Sequence, residues 1–277
     1  MSYMIALYIL ILLVFLYSLF IEPRHILIKE VSIAVDNIHN GLDKIKIIHI
    51  TDLHIKKLGY LERKVVDRIN QLSPDILFVT GDFIKNDAGI KHCAEMFKNI
   101  NAKYGIYGVL GNNDYRKFYI FPINTAELKR SLADSGVKLL FNESYTINID
   151  GTNINIFGVE DSIYGSLDIS RLRDSVLNKH INILLSHSPA ILRNLNGFSP
   201  DLILTGHTHG GQVRVPLIEY LWAPLPIGSP RKYCRGLFKL SNKTKIYVNQ
   251  GIGTSLLPVR FLCPPEISVI KLGNNSL

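Results

Sequence analysis

"DLILTGHTHGG", Asp201 to Gly211, is an apolar, strand-like run that stops on two histidines. Two imidazoles at i and i+2 behind a glycine have no packing purpose. They read either as solvent-facing loop residues or as ligands. The same event recurs upstream. "KIKIIHITDLH" (Lys44–His54) ends on Asp52 and His54, and "DILFVTGD" (Asp75–Asp82) ends on Asp82. "YGIYGVLGNND" (Tyr104–Asp114) ends on Asn112, Asn113 and Asp114, and "INILLSH" (Ile181–His187) ends on His187. Taken singly, each is a cap or a turn, because Asn, Asp and Gly dominate turns. Taken together, they describe buried strands that leave polar side chains outside their carboxyl ends, where α/β sheets bind ligands.

The segments between these runs support an α/β fold built on layered sheets. "LERKVVDRINQL" places Leu61, Val65, Ile69 and Leu72 on one helical face. A second helix is expected near residues 89–103. A third starts at Asn124 or Thr125 and stops at Gly136. "SYTINIDGTNINIFGVED" is a hairpin with Asp-Gly at its turn. "ILIKEVSIAVDNI", "KIYVNQGIG" and "EISVIKL" read as further strands. No repeat, low-complexity tract or linker interrupts residues 40–272.

Aspartate, imidazole and an amide carbonyl suit Mn, Fe, Zn or Co better than a thiolate-loving metal. Seven such residues are too many for one ordinary site. They fit two ions about 3.5–4 Å apart with a carboxylate between them. The blocks D-x-H, G-D, G-N-x-D, H and G-H-x-H, in that order, resemble the calcineurin-like metallophosphoesterases over about residues 45–250. That resemblance implies a four-layer α/β/β/α sandwich with two divalent ions at its top edge, Mn²⁺ favoured. It implies that Asp52, His54 and His209 hold one ion and that Asn112, His187 and His207 hold the other, with Asp82 bridging. It also implies hydrolysis of a phosphodiester or pyrophosphate bond by a metal-activated water. Asn113 and Asp114 are the candidate catalytic positions. Much of the family carries histidine at the place of Asn113, where it is thought to protonate the leaving oxygen; an amide has no proton to give at neutral pH. Asp114 is expected behind the site, orienting a neighbour.

The 277 residues are 47% hydrophobic and 19% charged, which excludes a disordered chain. A net charge of +8 serves either solubility or attraction to phosphate-bearing partners. Cys93, Cys234 and Cys263 form no CxxC pair and suit a reducing compartment. Residues 1–22 read as a transmembrane anchor ahead of one catalytic domain over 23–277. Met4 to Ile21 carries no charge and is just long enough to span a bilayer. A cleaved signal peptide would want a basic start and a small-residue cleavage site, and neither is present. Arg24, His25 and Lys29 follow the span, so the positive-inside bias puts the catalytic domain on the cytoplasmic side of a single-pass cell (inner) membrane protein.

Pro216 to Gly236 follows the paired histidines and carries Tyr220, Leu221 and Trp222, then Arg231, Lys232 and Arg235. The apolar part is either a lip for acyl chains or a packed loop. The cations are either phosphate contacts or a solvated end. The anchor, "GHTHGGQVRVP" and the late "NQGIG" together resemble the membrane-anchored branch of the family. Some of its members resemble UDP-2,3-diacylglucosamine hydrolases of lipid A biosynthesis. The expected partners are therefore a phosphorylated lipid or small phosphoester and the membrane. Nucleic acid is not expected, because no aromatic–basic strand pattern occurs. A generic phosphodiesterase and an inactive anchored module that binds phospholipid or protein are the alternatives, but all seven ligand positions are filled.

Overall fold

A computed structural model describes residues 2–35, 45–115, 122–177, 180–215, 231–241 and 243–273. Two six-stranded sheets stack face to face. The first runs β1 (Leu27–Ala34), β12 (Glu266–Gly273), β2 (Ile47–Ile50), β3 (Ile76–Thr80), β4 (Ile106–Val109), β5 (Val137–Leu139). The second runs β10 (Gly236–Lys239), β11 (Lys245–Val248), β9 (Leu202–Thr205), β8 (Ile181–Leu185), β7 (Thr152–Gly158), β6 (Glu143–Ile149). Strands β2, β3 and β4 are mutually parallel, as are β7, β8, β9 and β11. Parallel strands buried on both faces read as continuous apolar runs. Ile47–Ile50, Ile76–Thr80 and Leu202–Thr205 are buried at every residue.

Three apolar layers hold the sheets. Phe78, Val109, Ile183 and Leu204 belong to the core between them. Helices α2 (Tyr60–Leu72), α3 (Gly89–Lys98) and α4 (Thr125–Asp134) cover the outside of the first sheet through Val65, Ile69, Met96, Phe97 and Leu128. Leu61 and Leu72 pack against the edge of that core, as the periodicity of α2 predicts. The outer face of the second sheet is covered by 3₁₀ turns, Ser170–Ser175 and Pro189–Arg193, over Phe157, Leu184 and Phe198.

Helix α3 ends earlier than expected. At Asn99 the side-chain amide donates to the carbonyl of Glu95 at 2.7 Å, and the next turn is drawn away by Asn101 N–H donating to Asn70 at 3.0 Å. Helix α4 starts where expected, with Asn124 Oδ1 accepting from Glu127 N–H at 3.1 Å. The hairpin turn has Asp150 and Gly151 at φ of 47° and 86°, the left-handed pair such a turn requires.

The N-terminal helical run, Ser2–Arg24, is long and apolar enough to cross a membrane, and only 6% of its most apolar window is buried. It begins as α1 (Ser2–Leu16) and loosens into a π turn at Tyr17–Ile21. The carboxylate of the buried Glu22 accepts the backbone N–H groups of Leu262, at 2.9 Å, and Cys263. Ser18 C=O accepts from Arg260 N–H at 2.9 Å. The end of the helix is thus fastened to the 260–263 segment. Residues 216–230, with Tyr220, Leu221 and Trp222, and the side chain of Arg231 lie outside the described residues.

Candidate metal centre

Because the two sheets face one another, the carboxyl ends of β2, β3 and β4 meet those of β8 and β9 along one edge. Each end delivers what the sequence placed there: Asp52 and His54 after β2, Asp82 after β3, Asn112 after β4, His187 after β8, His207 and His209 after β9. All are buried except Asn112, which is half-buried.

Asp82 lies at the middle of the cluster. Its Oδ2 is 3.4 Å from His54 Nε2 and its Oδ1 is 3.4 Å from His187 Nε2. On one side His54 Nε2 faces His209 Nε2 at 3.1 Å, and His209 Nε2 lies 3.4 Å from Asp52 Oδ1. On the other, His187 Nε2 faces Asn112 Oδ1 at 3.0 Å and His207 Nδ1 at 3.1 Å. Asp52, His54 and His209 form one group able to hold a cation, and Asp52, Asp82 and His187 form another, with donor atoms within 4.8 Å of one another in each.

These atoms fit divalent ions. His187 Nδ1–H donates to Thr80 C=O at 2.7 Å, so in the neutral ring a cation would require, Nε2 carries the lone pair into the cluster. Asp52 Oδ1, which faces His209 Nε2, is buried without a hydrogen-bond partner. Lone pairs facing lone pairs at about 3 Å repel unless a proton or a cation lies between them. Electrostatics express the same demand. Burial, reinforced by the Asp82 charge, pushes the Asp52 carboxyl up to about 6 despite the pull of His187. Burial also raises Asp82, but His187, His54 and His207 reverse this and hold it below its ordinary value. Burial opposes protonation of His187, yet Asp82, Asp52 and Asp161 raise it to about 9. Burial and His187 drive His207 down to about 3.

The backbone is shaped for this purpose. Asp52, His54, Asp82, His207 and His209 all have positive φ, between 47° and 70°. Left-handed backbone costs an L residue roughly 1–2 kcal/mol, and it persists where the surroundings over-determine it. Glycines make room. A Cβ on Gly81, itself at φ 87°, would lie 2.7 Å from His187 Nδ1, and one on Gly206 would lie 2.4 Å from Asp52 Oδ2.

Asn113 and Asp114 divide their work. Asn113 backbone N–H donates to Asp82 Oδ1 at 2.8 Å, and its side-chain amide donates to Asp82 Oδ2. Asp114 is fully buried and accepts from Gly111 N–H at 2.9 Å, Phe83 N–H at 3.0 Å and Ile84 N–H at 3.3 Å. It ties the loops after β3 and β4 together rather than facing the cluster. Lys232 and Arg235 are exposed; Lys232 Nζ stacks 5.5 Å from the Tyr233 ring, and Thr208 Oγ1–H fixes the segment by donating to Cys234 C=O at 2.6 Å.

Sequence reasoning missed Arg260. Fully buried, it donates to the carbonyls of Gln250, Gly251, Gly253 and Cys263 at 2.6–3.2 Å, bracing the turn against Asp52. After burial and His54, its charge is the next cause that holds His209 well below the ordinary imidazole value. The available signal was a single cation inside the apolar run "LLPVRFLC".

Comparison with known proteins agrees with this architecture. A family profile described as calcineurin-like phosphoesterase matches residues 45–211. Over 262 residues the chain is 31% identical to the uncharacterized metallophosphoesterase YkuE of Bacillus subtilis, covering 92% of this chain and 88% of that protein. It is 25% identical to the UDP-2,3-diacylglucosamine pyrophosphatase LpxG of Chlamydia trachomatis, covering 91% and 90%. It is 26% identical to the phosphodiesterase YaeI of Escherichia coli, covering 82% of each. With more than half its length matched by the profile and the strand-end residues gathered at one sheet edge, the chain belongs to the calcineurin-like phosphoesterase family and is a metal-dependent phosphoester hydrolase.

Proposed function

We propose that the protein is a membrane-anchored hydrolase of a pyrophosphate bond in a lipid-linked nucleotide, with UDP-2,3-diacylglucosamine, a lipid A precursor, as the best-fitting substrate. The observation that carries this reading is the orientation of Asn113. Its amide is committed to Asp82 and offers no proton to a departing oxygen. An alkoxide leaving group needs a general acid, whereas a phosphate leaving group is a weak base and needs far less help.

Asp52, His54 and His209 would hold one ion, and Asn112, His187 and His207 the other. Asp82 would bridge, a role supported by its two oxygens facing His54 and His187 equally at 3.4 Å. When bound, two divalent ions, Mn²⁺ favoured, supply charge neutralisation at the phosphoryl oxygens and an acidified water. The protein's own residues prepare that site. Thr80 C=O fixes the His187 tautomer. His207 N–H and Thr51 Oγ1–H donate to Asp52 Oδ2 at 2.8 and 2.9 Å and hold its other oxygen toward His209. Asp114 keeps the β3 and β4 loops in register. Arg231, Lys232 and Arg235 are the proposed phosphate contacts outside the metal ligands. The N-terminal helix would anchor the protein in the cell membrane with the catalytic domain in the cytoplasm.

The likeness to YaeI supports a second reading, a phosphodiesterase of other substrate. The two are separated by product mass spectrometry on the full chain with Mn²⁺, offered UDP-2,3-diacylglucosamine, simple diesters and monoesters. Release of UMP faster than any diester product is the expected result; equal or faster turnover of monoesters would overturn the lipid-nucleotide reading.

A further inference from the structure

A cavity of about 590 Å³ lies beside the N-terminal helix and includes His54 in its lining. Leu19, Pro23 and Arg24 of the helix line the same cavity. The helix is tied to the metal cluster by contacts, because Glu22 and Ser18 fasten it to the 260–263 segment and Cys263 Sγ lies 3.2 Å from His209 C=O. The foot of the N-terminal helix and a candidate metal-binding residue therefore share one cavity.

Two chemistries meet in it. Lys56 and Lys57 are exposed on the loop directly after His54, and Lys85 lines the same wall with its Nζ donating to Ser255 C=O. The carboxylate in the lining, Glu62, is already engaged with Gly59 N–H at 2.9 Å. Facing the lysines is the 254–258 loop, which presents its leucines outward: Leu256 is 93% exposed and Leu257 is 64% exposed. This loop is held in shape, since Gln212 donates to Leu257 C=O and accepts from Ser255 N–H, both at 2.8 Å. Adjacent leucines displayed to water on a braced loop cost hydrophobic free energy. The same leucines beside a spanning helix lie where the leaflet begins.

We propose that this cavity is the entry port for a phosphate-bearing membrane lipid. The Leu256–Leu257 tip dips into the leaflet beside the helix. The headgroup enters between tip and helix, and Lys56 and Lys57 take its phosphate on the way to His54. The proposal rests on the reading that Ser2–Arg24 spans the membrane.

Two measurements on the full chain test it. The first places an environment-sensitive dye on Leu256→Cys, in a Cys234→Ser background, with the protein in phosphatidylglycerol nanodiscs. Blue-shifted emission quenched by shallow lipid spin labels is expected. Retention in the membrane at alkaline carbonate with the dye in water would overturn the port alone; extraction by carbonate would overturn the anchor reading and the port with it. The second compares, within each protein, inhibition of aryl diester hydrolysis by short-chain phosphatidic acid and by inorganic phosphate. The ratio of the two constants is independent of overall turnover. Lys56→Glu with Lys57→Glu should weaken the lipid relative to free phosphate by about tenfold, the loss of roughly one charge-assisted contact. An unchanged ratio would overturn the assignment of the two lysines to a lipid phosphate.

Discussion

Replacing Asn113 with histidine isolates the leaving group. Two effects are superposed. The first is a loss, because Asp82 Oδ2 forfeits the amide donor while the backbone N–H of residue 113 keeps Oδ1 at 2.8 Å. A hydrogen bond to a charged group contributes about 1.5–3 kcal/mol, so turnover of every substrate falls by roughly 10- to 100-fold. The second is a gain restricted to substrates that need a proton, where a placed general acid contributes about 10²–10⁴-fold. The loss is common to all substrates and cancels in a ratio. The kcat/KM for a dialkyl diester such as glycerophosphoethanolamine, divided by that for UDP-glucose, should therefore rise by about 10²-fold or more in Asn113→His. Glycerol and UMP release report the two reactions in the same preparation. A ratio unchanged within about threefold, or one that moves toward the pyrophosphate, would refute the argument from the missing acid.

Three further outcomes follow from the geometry. Gly206→Ala puts a methyl 2.4 Å from Asp52 Oδ2 and 2.1 Å from Thr51 Oγ1, so metal bound per chain should fall, and stability should drop by about 1–3 kcal/mol; normal loading by elemental analysis would contradict the close packing. Stripping the metals leaves the opposed donor atoms bare. At ion concentrations near 100 times each dissociation constant this removes about 3 kcal/mol per ion, about 5 kcal/mol for two, or roughly 10–20 °C of Tm, recoverable with Mn²⁺; an identical Tm after chelation would exclude bound metal. His49 is buried, and burial holds its imidazole down to about 3, from an ordinary value of 6.5. Above 6.5 both folded and unfolded forms are neutral and nothing changes. Below it the unfolded chain takes the proton and the folded chain refuses it, so near pH 5 the native state should be about 2 kcal/mol less stable from this group alone. Denaturant titrations of His49→Gln should show a shallower acid slope, and an equal slope would rule out this source.

The gathering of the site's side chains was legible because each follows a strand of a parallel set. Strand direction carries Asp52, Asp82 and Asn112 to one edge of the first sheet, and His187 and His207 to one edge of the second. The pairing of the two sheets was implied only by resemblance, and the contacts that stiffen the site were not legible. Glu22 reaches Leu262 across 240 residues, a separation that local patterning cannot encode. Arg260 stands out locally only as a cation in an apolar run, and nothing in that run shows that four backbone carbonyls await it. Strands β5 and β10 escaped because three and four residues of half-exposed sequence carry too little alternation to stand out. Thr80 matters through its backbone carbonyl, which no side-chain pattern reveals.

Strand β12 lies between β1 and β2, pairing parallel with the first and antiparallel with the second. Of the described strands it is synthesised last, although it fills an interior place in its sheet. While the ribosome is still reading the intervening chain, β1 has no neighbour and β2 presents an open edge. The sheet can close only when residues 266–273 are released, and that closure joins segments far apart in sequence, which is slow. If the N-terminal helix inserts early, it would hold β1 at the bilayer during this interval, and the order of synthesis would make the membrane surface the place where the domain finishes folding.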